Sequence, residues 1–449
     1  MCMNNKLAPL IEKTQSSFWF VPSIMIVFSF IIAVLTIYMD VNRADITGSS
    51  LDFLYTMNID AVRSLLGTIA AAMITVTSIA FSITIVILTL ASSQFGPGLM
   101  RNFMMDKGTQ TVLGTFISTF LFCIVIFFAM SFKGANAFEP GITVAVAITM
   151  TCCSVFILVY FIHHVAKSIQ AEVVIDDVFC ELHKNIEKIF PTVLNEKSTK
   201  PDHLFENLDS NKKNESSDLY VYAPVSGYLQ LVDKESLLKL AVKLDCKIEL
   251  NFTAGNFIVE KTIMAAVYCA SALMEKEISD EVNNEIIKNM VIGSCRTPVQ
   301  DPEFALRQLV EIALRALSPG INDPYTAINC IDKLCAMLCN LTDKVFPQTN
   351  IVSDGKVRLV CKELTFTDIG TAAFDQIRQD AETNLAVTIR MLDSLYVLVT
   401  QCLSDEQHNF VLAQTEMIST QQEKQSMAAY DRRNLLERIK KITDYKRKV

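Results

Sequence analysis

The first part of the chain alternates between long apolar runs and short polar connections. The apolar runs cover about residues 17–39, 64–95, 109–132 and 141–162. An α-helix needs about 20 apolar residues to cross a bilayer, so the pattern predicts four transmembrane helices and a transmembrane domain over residues 1–165. The first run is too long and too bulky for a signal peptide, and no small-residue cleavage site follows it.

The second run differs from the others because small and hydroxylated residues recur in it at steps of three and four. At roughly 100° per residue these positions fall on one narrow face of a helix, which we call the hydroxyl stripe. Its members are Ser64, Thr68, Ala71, Thr75, Ser78, Ser82, Val86, Thr89 and Ser93, and Gln94 follows its end.

Two hypotheses explain the hydroxyl stripe. In the first it is a helix-packing seam, because small side chains let helix backbones approach closely. In the second it lines a water-filled pore, where hydroxyl oxygens replace part of an ion's hydration shell. Nine positions in register are more than a local packing seam requires, which favours the pore. Ser78 and Ser82 would then form the constriction or coordinate the ion. Ser64 and Thr68 would lie near the outer mouth, and Thr89, Ser93 and Gln94 near the inner mouth.

Charged residues between the apolar runs predict the topology. One side of the four predicted spans carries the basic residues Lys6, Lys13, Arg101, Lys107 and Lys167. By the positive-inside rule, that side and both termini are expected in the cytoplasm. The opposite side is acidic between the first two spans, with Asp40, Asp45, Asp52 and Asp60. These carboxylates either concentrate cations at the outer mouth of a pore or belong to a solvated loop.

His163 and His164 lie at the cytoplasmic end of the fourth predicted span. Because histidine titrates near neutral pH, the pair either senses pH or anchors the helix at the membrane interface. The spans themselves contain no charged residue, which argues against a proton-coupled carrier with an intramembrane carboxylate. A secondary transporter is further disfavoured because the spans show no inverted repeat.

Beyond the spans we expect a helical extension and polar linker over 166–217, which begins as a continuation of the fourth span in one long helix. A small β-rich module over 218–270 and a mainly helical domain over 271–449 follow, and the latter ends in two long helices over about 369–404 and 406–443. The predicted fold class is an α-helical membrane bundle (four transmembrane helices) followed by a cytoplasmic α+β domain.

Two Asp-Pro pairs mark helix starts in the last domain. Asp301 precedes Pro302 and Asp323 precedes Pro324, which fits an N-cap followed by proline at the first helical position. A free helix N-terminus binds anions, but Asp323 would repel an anion, so a capped corner is expected there. The pattern predicts helices over 302–317 and 324–342 and a strand pair over 356–362 and 363–367.

Composition and motifs disfavour several function classes. A net charge of −8 argues against a nucleic-acid partner. The 13 cysteines are scattered and are interpreted as reduced thiols. Cys330, Cys335 and Cys339 share a predicted helix, and Cys335 and Cys339 lie on one face of it. Because neither a fourth ligand nor a histidine is nearby, no metal site is expected. The sequence contains no nucleophile elbow, glycine-rich phosphate loop or HExxH motif, so we expect neither an enzyme nor a cofactor.

Three segments resemble a known family. They are RSLLGTIAAAMITVTSIAFSITIVILTLASSQFGPGLMRNFMMD, APVSGYLQLVD and LRALSPGINDPYTA. The chain is similar in most of its length to a bacterial family of predicted membrane proteins, DUF2254, with SSQFGPG and ALSPGINDP as the most specific marks. The resemblance implies a multi-pass protein of the bacterial inner membrane with about four N-terminal spans and a large cytoplasmic domain.

The residues favour a homo-oligomeric cation channel that is lined by the hydroxyl stripe. Cations are favoured over anions because the stripe has no basic residue and hydroxyl oxygens coordinate cations. Gating is expected through the cytoplasmic domain or by pH. The alternative is a non-conducting, membrane-anchored sensor or scaffold in which the stripe is a packing seam. The expected partners are the lipid bilayer, inorganic cations and further copies of the chain.

Overall fold

The structure is a computed structural model that describes residues 18–42, 55, 57–131, 140–190, 219–269 and 276–445. By its internal contacts the chain divides into two compact units, Met1–Val174 and Ile175–Val449.

The first unit is a bundle of long apolar helices. Its helices are α1 (Phe20–Val41), α2 (Ile59–Phe95), the short α3 (Met100–Met104), α4 (Lys107–Ala129) and α5 (Ile142–Ser168). All except α3 are long and apolar enough to cross a membrane. The predicted helical membrane bundle is therefore confirmed.

Local sequence signals set the helix ends in this bundle. Asn58 caps α2 by accepting a hydrogen bond from the amide of Asp60, and Asp106 caps α4 by accepting from Gly108 and Thr109. Helix α2 ends at Gly96, whose φ of 108° lies in the region that favours glycine. Pro97 follows Gly96 and opens a turn of 3₁₀-helix over Pro97–Leu99.

Helix α4 is the central helix of the bundle and packs against α1, α2 and α5. Close approach to α1 requires Gly114, where an added Cβ would lie 2.5 Å from Met25 Sδ. The Ser29 hydroxyl in α1 donates to the Ser118 carbonyl at 2.8 Å. Between α4 and α5, the hydroxyl oxygens of Thr119 and Ser154 lie 3.1 Å apart. The helices of this unit are therefore joined by buried hydroxyl groups as well as by apolar packing.

The second unit combines two sheets with a helical layer. Its strands are β1 (Leu219–Tyr222), β2 (Gly227–Val232), β3 (Cys246–Leu250), β4 (Phe257–Ile258), β5 (Ile263–Cys269), β6 (Met290–Gly293), β7 (Asn350–Ser353) and β8 (Lys356–Val360). One sheet has the order β1-β5-β3-β8-β7, and only its β3–β8 pair is parallel. The other sheet is antiparallel with the order β4-β2-β6. Both sheets contribute to one core that includes Leu229, Ile248 and Val267.

The helices of the second unit pack largely on one another. They are α6 (Ala171–Ile189, which begins just before the division), α7 (Lys234–Lys243), α8 (Lys276–Lys288), α9 (Glu303–Leu317), α10 (Pro324–Leu341), α11 (Phe366–Asp380), α12 (Leu385–Gln401), α13 (Asp405–Glu423) and α14 (Ala429–Thr443). The predicted corner between α9 and α10 is present, since Asp323 accepts from the Thr326 amide at 3.2 Å and Pro324 opens α10.

Three local predictions are wrong. The fourth span and its continuation form two helices, because Ile169 and Gln170 belong to neither α5 nor α6. The strand paired with Lys356–Val360 precedes it as Asn350–Ser353 and does not follow it. The two long terminal helices are four, because the first is interrupted before Asn384, which caps a new helix, and the second is interrupted between Glu423 and Ala429.

Candidate functional site

Every member of the hydroxyl stripe is exposed on the surface of the chain, and so is Gln94. The buried face of α2 consists of Val62, Leu66, Ile69, Ala70, Met73, Thr77, Ala80, Thr84, Ile87, Ala91 and Phe95. At roughly 100° per residue this face is centred about 180° from the stripe. The stripe therefore points directly away from the bundle of its own chain.

The packing of α2 separates two kinds of hydroxyl residue on the same helix. Thr77 and Thr84 are buried on the face that packs towards the bundle. Ser78 and Ser82, by contrast, remain exposed. Within the described part of a single chain, the stripe is thus not a helix-packing seam. Its partner must be lipid, water or another molecule.

The hydroxyl groups of the stripe donate to their own helix. The Thr68 hydroxyl donates to the Ser64 carbonyl at 2.8 Å, and the Thr75 hydroxyl donates to the Ala71 carbonyl at 2.8 Å. Ser78, Ser82, Thr89 and Ser93 donate in the same way at 2.9, 3.0, 2.9 and 2.9 Å. Because these six hydroxyl groups use their hydrogen within the helix, they present oxygen lone pairs outward.

Large aliphatic side chains flank the stripe on both sides. Leu65, Ile83 and Leu90 are exposed on one flank, and Ile74 and Ile85 are exposed on the other. Such side chains suit contact with lipid or with another apolar helix. The outer surface of α2 is therefore a narrow band of acceptor groups between two apolar bands.

Asp40 does not occupy the position that the cation-attraction hypothesis requires. Its side chain is only 5% exposed. The carboxylate accepts from the amides of Ile142 and Thr143, both at 3.0 Å, and from the hydroxyls of Thr143 at 2.6 Å and Tyr55 at 2.8 Å. Asp40 thus caps the N-terminus of α5 from a neighbouring helix. Its role is structural, and the prediction for this residue is wrong.

Asp60 is the acidic residue that does lie at one end of the stripe. It precedes Ser64 by one turn on the same face of α2, and its side chain is 88% exposed. Arg63 lies 3.7 Å from the Asp60 carboxylate and also donates to the Met130 carbonyl at 2.9 Å. Asp45 and Asp52 lie outside the described residues.

The two histidines at the end of α5 have different surroundings. His163 is exposed. His164 is partly buried, stacks on the Tyr160 ring with centroids 5.3 Å apart, and places Nε2 2.7 Å from Asp106 Oδ2. Asp106 was not predicted from the sequence as a functional residue, although an Asp directly before an apolar helix is a recognisable N-cap signal.

Asp106 receives several hydrogen bonds at once. Its carboxylate accepts from the Thr109 hydroxyl at 2.6 Å and from the Thr109 amide at 2.9 Å, in addition to His164. Burial by itself would raise the pKa of Asp106, but the hydrogen bonds from Thr109 and His164 outweigh burial and hold the pKa below its ordinary value. The carboxylate is therefore kept ionised at the junction of α4 and α5.

Comparison with known proteins agrees with this architecture. The family model described as a predicted membrane protein, DUF2254, matches residues 15–396. The chain belongs to the DUF2254 family. It is similar to the uncharacterized protein Rv1290c of Mycobacterium tuberculosis and the uncharacterized protein Mb1321c of Mycobacterium bovis, each 28% identical over 362 residues, which is 79% of this chain and 67% of each relative. No solved structure matches the chain.

Proposed function

We propose that this DUF2254 protein assembles as a homo-oligomeric cation channel whose pore is lined by the hydroxyl stripe. The observation that carries the proposal is that every stripe position is exposed directly opposite the buried face of α2. Several copies arranged around an axis would bring their stripes together. The flanking aliphatic bands would then form the contacts between copies and with lipid.

Charge and hydrogen bonding favour cations in such a pore. Because the stripe hydroxyls donate to their own backbone, a permeating ion meets oxygen lone pairs. The exposed Asp60 carboxylate would add negative charge near one mouth. We place the protein in the bacterial inner membrane with both termini in the cytoplasm, and we assign gating to the second unit or to pH.

The alternative is a non-conducting sensor or scaffold in which the stripe is a seam between copies. One observation favours it, since hydroxyls that are satisfied by their own helix are stable without any water. In that case the stripes of neighbouring chains would pack in contact and exclude ions.

Current measurements test conduction directly. Purified protein in planar bilayers of phosphatidylethanolamine and phosphatidylglycerol, under asymmetric KCl, should show discrete openings that reverse near the K⁺ equilibrium potential. Ser78→Leu and Ser82→Leu should abolish or reshape these openings. Ile85→Leu is the matched control, because Ile85 is an exposed apolar residue on the flank of the same helix. Silence from intact oligomers would overturn the channel, and unchanged currents in both leucine variants would overturn the assignment of the hydroxyl stripe as its pore lining.

Water accessibility separates a pore from a seam. Cysteines at positions 75, 78 and 82, in a background without reactive native cysteines, should react with a small charged methanethiosulfonate reagent if the stripe is wet. A cysteine at position 85 should stay unreactive, because lipid covers it. Protection of all four positions would support the scaffold.

A further inference from the structure

The second unit contains a cleft of about 390 Å³. The walls come from the end of α6, the start of α7, the β3–β4 connection, the segment before α9 and the segment after β8. The volume lies at the lower end of the range for small-molecule sites. The cleft therefore has room for one compact ligand.

Three lysines from separate elements converge on this cleft. Lys188 lies in the last turn of α6, Lys234 is the first residue of α7, and Lys362 follows β8. All three side chains are exposed, and the structure gives none of them an ion pair with another described residue. Like charges that gather without forming ion pairs favour an anionic ligand. The concentration of positive charge is notable because the whole chain has a net charge of −8.

The acidic residues of the cleft are already engaged. Asp301 is 2% exposed and accepts two hydrogen bonds from Arg296, at 2.6 and 2.8 Å. Glu303 lies 3.5 Å from Arg296 and 2.7 Å from Arg307. Because these acids balance the arginines, the positive charge of the lysines is left for a ligand.

The wall of the cleft is held in place by its own hydrogen bonds. The Gln300 side chain accepts from the Val232 amide at 2.9 Å and donates to the Val232 carbonyl at 3.2 Å. Gly255 has a φ of +94°, and a Cβ there would lie 2.6 Å from the Asp301 carboxylate. The β3–β4 connection therefore approaches Asp301 as closely as only glycine permits. Such a preformed wall lowers the cost of ordering a bound ligand.

Apolar side chains form the rest of the lining. They include Ile189, Leu250, Phe252 and Leu364. Phe252 is partly exposed and offers an aromatic face. A cationic rim beside an apolar, aromatic lining is complementary to a molecule with a phosphate group at one end and a flat ring system at the other.

We propose that this cleft binds a nucleotide, with its phosphates against Lys188, Lys234 and Lys362 and its base against Phe252. The volume favours a mononucleotide over a dinucleotide. The inference does not depend on whether the protein conducts ions, because it concerns binding to the second unit alone.

Calorimetric titration of the full chain in lipid nanodiscs with ATP, GTP and UTP tests the proposal. At least one of these nucleotides should bind. The double variant Lys234→Ala/Lys362→Ala should weaken its binding by at least about tenfold, since two charge-assisted contacts are lost. Lys239→Ala is the matched control because Lys239 is an exposed lysine of α7 outside the cleft lining. The Lys239→Ala variant should bind the nucleotide with the same affinity as the wild type.

A second variant tests the base contact. Phe252→Leu keeps an apolar side chain but removes the ring, so it should weaken nucleotide binding and leave binding of inorganic tripolyphosphate unchanged. The proposal is overturned if no nucleotide binds to protein with wild-type circular dichroism and elution volume. It is also overturned if the double lysine variant binds as tightly as the wild type, or if Phe252→Leu leaves nucleotide affinity unchanged.

Discussion

The Nε2 atom of His164 in α5 lies 2.7 Å from the carboxylate of Asp106, the residue that caps α4. Gly108 lies in the first turn of α4, and its missing side chain leaves the space that the imidazole occupies. One carboxylate thus ends a helix and also ties that helix to its neighbour.

Asp106→Asn should destabilise the bundle by about 1 kcal/mol at neutral pH, because asparagine can still cap the helix but lacks the negative charge that strengthens the hydrogen bonds from Thr109 and His164. The folded pKa of Asp106 is below its ordinary value of 3.8, so the stabilisation is present above pH 3.8 and is lost as the pH falls through the folded pKa. Thermal unfolding of both proteins from pH 7 downwards measures this difference. A difference that grows on acidification would contradict the assignment.

Gly108→Ala should break the contact between His164 and Asp106. The added Cβ would lie 2.5 Å from His164 Nε2, so the imidazole must move, and overpacking of this kind costs about 1–3 kcal/mol. Gly67→Ala is the control, because a Cβ at Gly67 meets no atom within 4 Å. It should be neutral or slightly stabilising in a helix. Equal melting temperatures for the two variants would contradict the prediction.

Asp40→Asn and Asp60→Asn should affect different properties of the protein. Asp40→Asn should lower the free energy of unfolding by about 1–3 kcal/mol, since the buried amides of Ile142 and Thr143 lose charged acceptors. Asp60→Asn should leave stability nearly unchanged because the side chain is exposed. If the channel forms, Asp60→Asn should instead reduce single-channel conductance at low ionic strength. Thermal unfolding and bilayer recordings on the same preparations measure both quantities.

Thr119→Val and Thr75→Val remove the same atoms from different surroundings. Thr119 is fully buried and lies 3.1 Å from the Ser154 hydroxyl, so the variant should lose about 0.6 kcal/mol of stability. Thr75 is exposed and bonds only its own helix, so Thr75→Val should leave the stability of one chain unchanged. Urea-dependent unfolding in detergent compares the two. A larger loss at Thr75 would indicate that the stripe is packed.

The apolar runs were sufficient to predict the four long helices of the membrane bundle. Apolar segments of this length have few alternatives to an α-helix, because a backbone in lipid must satisfy its hydrogen bonds within the protein. The corner between α9 and α10 was equally predictable, since Asp323 and Pro324 act locally on the chain.

Longer connections were predicted less well. The apolar pattern over 369–404 predicted one continuous helix, whereas α11 and α12 are separated by a short turn that ends at Asn384. Apolar spacing can continue through such a turn when both helices face the same core. The hydroxyl stripe was visible in the sequence, but its direction was not. Which face of α2 packs on α4 depends on the complete set of neighbouring surfaces.

The sequence by itself determined the number of membrane helices, the stripe on the second and the local caps that start helices, because these features depend on residues within a few turns of one another. The tertiary structure alone decided that the stripe faces outward, that Asp40 is a buried cap and that His164 meets Asp106. Those relationships join residues far apart in the chain, and only the packing of α1, α4 and α5 determines which side chains meet.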